Sequence, residues 1–353
     1  MVEWKEIKSV CKTATPPIKL STSDYRDKGK FPIIDQGKND IVGYTDEEKA
    51  ILGNNEYVLF GDHTCIVKYY KGQFAQGADG LKILLTTKDI ITKYFYYAFS
   101  NIVIPQRGYS RHWSIAKDIK IPIPSLAEQT RIVEILDTFT ASIANIKEQI
   151  KERRKQYEYY RDQLLDIEKE EGEHIKILEE ICEIRKERIS SKELSEDNYV
   201  SVENLLKDKA GRVDSENVPQ EGNWSKYYIG DILIGNIRPY LKKIWLADRN
   251  GGTNGDVIVI SPKEGVLPKY LYNILSSEKF FVYYNQTAKG GKMPRGDKKQ
   301  ILVYPTRLHS ISEQNRIVTI LDQFEASIAN LEAQLKEREK QYEYYRNQLL
   351  TFE

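Results

Sequence analysis

EQTRIVEILDTFTASIANIKEQIKERRKQYEYYRDQLLDIE spans residues 128–168, and EQNRIVTILDQFEASIANLEAQLKEREKQYEYYRNQLLTFE spans 313–353. The two copies agree at 29 of 41 positions, so an internal repeat organises the chain. Their most alike stretches, KQYEYYRDQLL at 155–165 and KQYEYYRNQLL at 340–350, differ only at Asp162 against Asn347. Neither copy holds Gly or Pro, and apolar residues recur in steps of four and three, a heptad seam. In the first copy the seam reads Ile132, Leu136, Phe139, Ile143, Ile146, Ile150, Arg153, Tyr157, Tyr160 and Leu164. In the second it reads Ile317, Leu321, Phe324, Ile328, Leu331, Leu335, Arg338, Tyr342, Tyr345 and Leu349. Each copy therefore predicts one helix of about 40 residues, roughly 60 Å long. Pro122, Pro124 and Pro305 mark where the chain enters each helix.

A heptad helix does not bury its seam alone. The economical expectation is that the two copies pack on each other. The other solution packs each helix on its neighbouring globular segment.

Each helix follows such a segment, and the two segments are faintly alike. WKEIKSVCK at 4–12 aligns with IKILEEICE at 175–183, and FGDHT at 60–64 with IGNIR at 234–238. KYFYY at 93–97 aligns with KYLYN at 269–273. Short apolar runs between turn signals (YVLFGD, TCIVKYY and LKILLTT, then DILIG, KIWLAD and DVIVISP) predict strands of a mixed sheet. ITKYFYYAFS and PKYLYNILSSEKFFVYYN predict one helix each. A nearly constant helical frame thus carries two diverged globular parts.

The bulk numbers exclude several classes. With 53 basic and 52 acidic residues the net charge is +1, so only local patches argue for a polyanion partner. No apolar run is long enough for a transmembrane helix, and MVEWKEIKSVCK has no apolar core of a signal peptide, so a cytoplasmic protein without a membrane partner is expected. Cys11, Cys65 and Cys182 are scattered and odd in number, which fits reduced thiols. No dinucleotide or P-loop glycine pattern, no HExxH and no CxxC is present; His63 with Cys65 is at best half a metal site, and no metal is expected.

Two segments are locally basic, polar and glycine-containing. PQRGYSRHWS at 105–114 carries Arg107, Tyr109, Ser110, Arg111 and His112. NQTAKGGKMPRGDKK at 285–299 carries Lys289, Lys292, Arg295, Lys298 and Lys299. Both follow the tyrosine-rich helix and precede the proline before the long helix. Arg donates two hydrogen bonds to guanine, and Lys and backbone N–H groups hold phosphates, so these residues are candidate DNA contacts. RPYLKK at 238–243 adds Arg238 as a candidate. The plain alternative for each loop is a solvated surface.

IPIPSLAEQTRIVEILD at 121–137 and YPTRLHSISEQNRIVTILD at 304–322 resemble the helix-entry signature of specificity (S, HsdS-type) subunits of Type I restriction–modification systems. The resemblance covers nearly the whole chain, with a longer stretch between Pro305 and Glu313 in the second copy. It implies an α+β fold: two globular α/β target-recognition domains separated by two long antiparallel coiled-coil helices, in a pseudo-twofold internal repeat. The domains expected are 1–124, helix 125–170, 171–308 and helix 309–353. The resemblance further implies a non-catalytic chain that reads a split double-stranded DNA sequence. It would dock two methyltransferase subunits and, in a full system, two restriction subunits. No cofactor is expected in this chain; S-adenosylmethionine, ATP and magnesium would act in the partner subunits. The rival reading from the residues is a non-catalytic coiled-coil scaffold spacing two protein-binding domains.

Overall fold

A computed structural model describes residues 2–77, 80–105, 108, 110–166 and 175–352. The long helices form where the repeat places them, at Leu126–Leu164 and Ile311–Leu350. Internal contacts divide the chain into two compact units: Met1–Lys147 with Ala333–Glu353, and Glu148–Glu332. Each long helix is thus shared. Its first half belongs with its own globular segment and its last half with the other. The four-segment division read from the sequence describes order along the chain, not these units.

In the first unit, strand Glu3–Glu6, the single-turn helix Ile7–Val10 and strand Cys11–Ala14 follow one another. Glu3–Glu6 pairs antiparallel with Lys120–Ile123, the strand that leads into the first long helix. A six-stranded sheet runs in the order Cys11–Ala14, Leu81–Thr86, Ile51–Gly61, Val67–Gln76, Phe31–Ile34, Gly43–Thr45. Helix Thr92–Ser100 buries Tyr94, Phe95, Tyr97, Ala98 and Phe99. These join Val58, Phe60 and Leu84 of the sheet in one core.

The second unit repeats the plan. Ile175–Ile177, Leu178–Ile181 and Cys182–Ile184 follow one another, and the first of these pairs antiparallel with Pro305–Arg307. The sheet order Cys182–Ile184, Val257–Pro262, Ile232–Gly235, Ile244–Leu246 matches the first four strands of the other unit. A second sheet, Arg188–Ser190, Asn223–Tyr227, Gly251–Thr253, Tyr199–Val200, has its own core around Val200, Leu205, Tyr227 and Trp245. Cys11 and Cys182 occupy one position of the plan: each thiol donates to the carbonyl four residues back, at 3.2 and 3.1 Å, and burial pushes each up to about 12.

The single helix expected over 268–285 is two. Pro268–Leu275 ends at Ser276, and Glu278–Gln286 starts anew. Ser277 takes an extended conformation, and its hydroxyl accepts from the Phe280 N–H at 3.1 Å. A serine cap satisfies an otherwise orphaned donor and so restarts a helix.

The seam divides between two tasks, which revises the reading of one continuous helix–helix stripe. Ile132 and Leu136 are wholly buried in the first globular core, and Ile317 and Leu321 in the second. Only beyond them does helix meet helix. In the first unit Phe139 stacks on Tyr345 at 5.2 Å, Arg338 lies over Phe139 at 5.7 Å, and Lys147 pairs with Glu339 at 2.9 Å. In the second unit Tyr160 stacks on Phe324 at 5.3 Å, Arg153 lies over Phe324 at 5.9 Å, and Arg154 pairs with Glu332 at 2.6 Å. Numbers rise along one helix as they fall along the other, so the packing in each unit is antiparallel. Tyr342 and Leu349 return to the first core, and Tyr157 and Leu164 to the second. Ile146 is buried; Ile143, Ile150, Ile328, Leu331 and Leu335 are half-buried.

The EQxRIV letters have a physical reason. Gln129 is buried; its Oε1 accepts from the Ile91 N–H at 2.9 Å and its Nε2 donates to the Pro124 and Asp89 carbonyls at 3.0 and 3.3 Å. Gln314 does the same for Leu267 N–H at 2.9 Å and the His309 and Gly265 carbonyls at 2.8 and 3.0 Å. Arg131 grips Glu128, and Arg316 grips Glu313, one turn apart. The glutamine ties the helix start to the globular segment, and the isoleucine behind it enters the core.

Candidate nucleic-acid interface

In each unit the basic segment is tied to the end of the central strand. In the second unit that strand ends at Gly235, and Asn236 follows, buried. The Asn236 carbonyl accepts from the Gly296 N–H at 2.9 Å, and its Oδ1 accepts from the Tyr284 hydroxyl at 3.1 Å. A side chain at Gly296 would collide with the Tyr284 ring, so this glycine serves internal packing. In the first unit Asp62 holds the same place. Its carbonyl accepts from the His112 N–H at 2.8 Å, and its carboxylate accepts from the Trp113 N–H at 2.8 Å, with Lys82 at 3.5 Å. The FGDHT and IGNIR alignment carried this signal, although neither Asp62 nor Asn236 stood out as functional.

The second basic segment folds back on itself. Lys289 and Arg295 form a bridge, each N–H donating to the other's carbonyl at 2.8 Å. Lys289 pairs with Asp297 at 2.6 Å and Arg295 with Asp256 at 3.0 Å, yet both cations stay exposed. Lys292 is exposed on the turn between them. Lys298 and Lys299 are exposed in the first turn of helix Lys298–Leu302, capped by Asp297. Arg238 joins this group because its N–H donates to the Pro294 carbonyl at 2.8 Å. Arg238, Lys289 and Arg295 are thus joined across two loops, with Lys292 on the turn between the bridge partners and Lys298 and Lys299 on the short helix that follows.

In the first unit Arg107 and Tyr109 lie outside the described residues. Arg111 is exposed and Ser110 half-buried. His112, expected at the surface, is 1% exposed, and its Nδ1 lies 3.0 Å from the Asp62 carbonyl. It packs the loop down instead of offering itself to a ligand, because the Asp62 carbonyl draws in both its backbone N–H and its ring.

The turn beyond Asn236 is strained. Arg238 (φ 53°) and Lys242 (φ 49°) are left-handed, and so are Asp208 (φ 54°) and Lys209 (φ 63°) beside it. Such residues cost roughly 1–3 kcal/mol each and persist only where surroundings over-determine them. Here the Lys209 N–H donates to the Lys242 carbonyl at 3.0 Å, and both ammonium groups reach Glu278, at 2.8 and 2.6 Å. Burial would raise the Glu278 carboxyl, but hydrogen bonds from Lys209 and Lys242 and their charges outweigh it and hold it down at about 2. Among the described residues no group of three or more His, Cys, Asp or Glu side chains is placed to hold a metal ion.

The family model described as "Type I restriction modification DNA specificity domain" matches residues 1–153 and 170–340. The specificity subunit of the Escherichia coli type I restriction enzyme EcoR124I/EcoR124II is 30% identical over 99% of this chain and 94% of its own length. A type I specificity chain of Haemophilus influenzae is 28% identical over 99% of this chain and 96% of its own. Among solved structures, the S subunit of a type I system from M. genitalium matches 100% of this chain and 97% of its own, with a TM-score of 0.63 and 15% identity, which speaks for the fold. The chain belongs to the family of type I restriction–modification DNA specificity subunits.

Proposed function

We propose that each unit reads one half of a split double-stranded DNA target, and that the chain itself catalyses nothing. The observation that carries this is the recurrence of one device on a repeated frame: a basic loop tied to the residue that ends the central strand. In the second unit Arg238, Lys289, Lys292, Arg295, Lys298 and Lys299 would meet DNA. Arg reads guanine edges from the major groove, and lysines hold phosphates. In the first unit Arg111 and Ser110 take that part, joined by Arg107 and Tyr109. The partners are two methyltransferase subunits, with two restriction subunits in a complete system, working on cytoplasmic DNA. S-adenosylmethionine, ATP and magnesium are then needed by those subunits and not by this chain.

Methylation mapping tests this. The chain is expressed with its partner methyltransferase in a host lacking other adenine methylation, and modified sites are sequenced. The expected result is one motif in two parts, separated by unspecified bases. A contiguous motif, or none together with no retardation of DNA in a gel, would favour the protein-spacing scaffold.

A further inference from the structure

Four of the five left-handed non-glycine residues among the described residues, Asp208, Lys209, Arg238 and Lys242, sit at one spot in the second unit. Strain of this kind, concentrated and well supported, marks a segment whose shape matters. The support is specific. Pro239 is buried, and the Leu241 and Lys242 N–H groups close the turn on Arg238 and Pro239 at 2.9 and 3.0 Å. Glu278 clamps the turn from one side and the Pro294 carbonyl from the other. What the turn presents is Arg238, exposed, and Tyr240, half exposed at 50%. Fixing a backbone this firmly while leaving an aromatic ring in water serves little in folding. It suits a contact made later, because a pre-shaped loop loses less freedom on binding.

We propose that the turn Asn236–Lys243 is a pre-shaped base-reading finger, in which Tyr240 determines specificity beside Arg238 and Glu278 is a positioning residue. This rests on the reading that the second unit binds one half-site. Arg238 donates a pair of hydrogen bonds to a guanine, while the Tyr240 ring packs on the edge of the neighbouring base pair. Lys292, across the bridge, stays with the phosphates.

The test uses the full chain with its partner methyltransferase and selects bound or methylated duplexes from libraries randomised in one half-site at a time. Tyr240→Ala is expected to flatten preference about tenfold or more at one or two adjacent positions of one half-site. The other half-site keeps its preferences. Tyr240→Phe retains the preference, since the ring and not the hydroxyl makes the contact. Glu278→Gln blurs the same positions without touching DNA, whereas Lys292→Ala weakens all sequences alike and lowers the salt dependence of binding. A half-exposed side chain can be removed without loss of fold, which thermal unfolding of each variant checks. An unchanged preference in Tyr240→Ala, or equal weakening on every sequence, overturns the assignment. Sharp preference in Glu278→Gln overturns the positioning role. Absence of any sequence preference in the unsubstituted complex would instead sink the half-site reading itself.

Discussion

Arg161 and Arg346 are the same letter of the repeated string, yet they end differently. In the second unit Arg161 is 1% exposed, lies over Tyr157 at 5.6 Å, and holds Asp162 with Nε and Nη2 at 3.0 and 2.9 Å. Its remaining nitrogen reaches the Ser276 carbonyl at 3.4 Å. In the first unit Arg346 lies over Tyr342 at the same 5.6 Å, but Asn347 stands where the acid would be, and its Nε is buried without a hydrogen-bond partner. It lines a cleft of about 390 Å³ with Cys65, Tyr96, Phe99 and Ser100. The second unit continues past Ser276 into the extra helix Glu278–Gln286, whereas the first continues into loop. A neighbouring fastening differs too. Lys93 and the Tyr97 hydroxyl both hold Asp137, at 2.7 and 2.6 Å. Lys269 and the Tyr157 hydroxyl hold Glu325, at 2.6 and 3.2 Å, because Asn273 replaces Tyr97. The frame is constant while the fasteners between frame and globular segment were solved twice.

The sharpest way to break that statement is to attack a fastener that did not change. Gln129→Leu and Gln314→Leu each leave one half-buried N–H and two carbonyls, one of them on an exposed residue, without their partner. Each is expected to cost about 3–4 kcal/mol, since each of the three groups loses its hydrogen bond at roughly 1 kcal/mol or slightly more where it is only partly buried. The two losses should agree within about 1 kcal/mol if the helix starts are equivalent. Urea unfolding of the full chain measures both. A loss confined to one unit would show that the shared letters hide different energetics.

Next come the joints that differ. Arg161→Met strands the Asp162 carboxylate and the Ser276 carbonyl and is expected to cost about 3 kcal/mol. Arg346→Met removes a group with no acid beside it and should cost about 1 kcal/mol or less. Asn347→Asp sharpens the comparison by supplying the missing acid, with an expected gain of about 0.5 kcal/mol. Equal costs for the two arginine variants would mean that the single-letter difference has no energetic meaning.

These joints also show how far the sequence could be read. The long helices and their starts were legible because periodicity without Gly or Pro is a strong local signal, whereas their antiparallel orientation came only with the family resemblance, since spacing does not fix direction. The start of each helix was misjudged as partner-facing. Ile132 and Ile317 continue the heptad spacing, and spacing does not say which surface covers a stripe. The break at Ser277 was missed because a polar pair inside an apolar run reads as a solvated face until the cap geometry is seen. In the candidate interface, charge made the lysines and arginines visible. His112 looked equally polar, but Asp62, distant in the chain, draws it inside. Tyr240 and Glu278 were invisible for the same reason: their roles come from a strained turn assembled by residues 209, 278 and 294, which are far apart in sequence.

A small, pH-dependent effect concerns the second unit's own clamp. The Glu278 carboxyl is held at about 2 against an ordinary value of 4.5. A carboxyl depressed on folding adds stability that is fully present above its unfolded value and is lost as pH falls through the folded one. The window therefore runs from about pH 5 down to about pH 2. Glu278 keeps about 36% of its side chain accessible, so water screens the pair and the contribution is nearer 1 kcal/mol than the full shift implies. Glu278→Gln should cost that much at pH 7 and progressively less toward pH 3, as the native carboxyl's advantage over the unfolded one disappears. In the same series Asp137→Asn probes the first unit's fastening, where Lys93 and Tyr97 share one acid that no lysine pair brackets. Urea midpoints at pH 7 and pH 3 report both. If the cost of Glu278→Gln stays constant across that range, the two lysines do not hold the carboxylate, and the strain of the turn at Arg238 and Lys242 must be balanced by Pro239 and the Pro294 carbonyl alone.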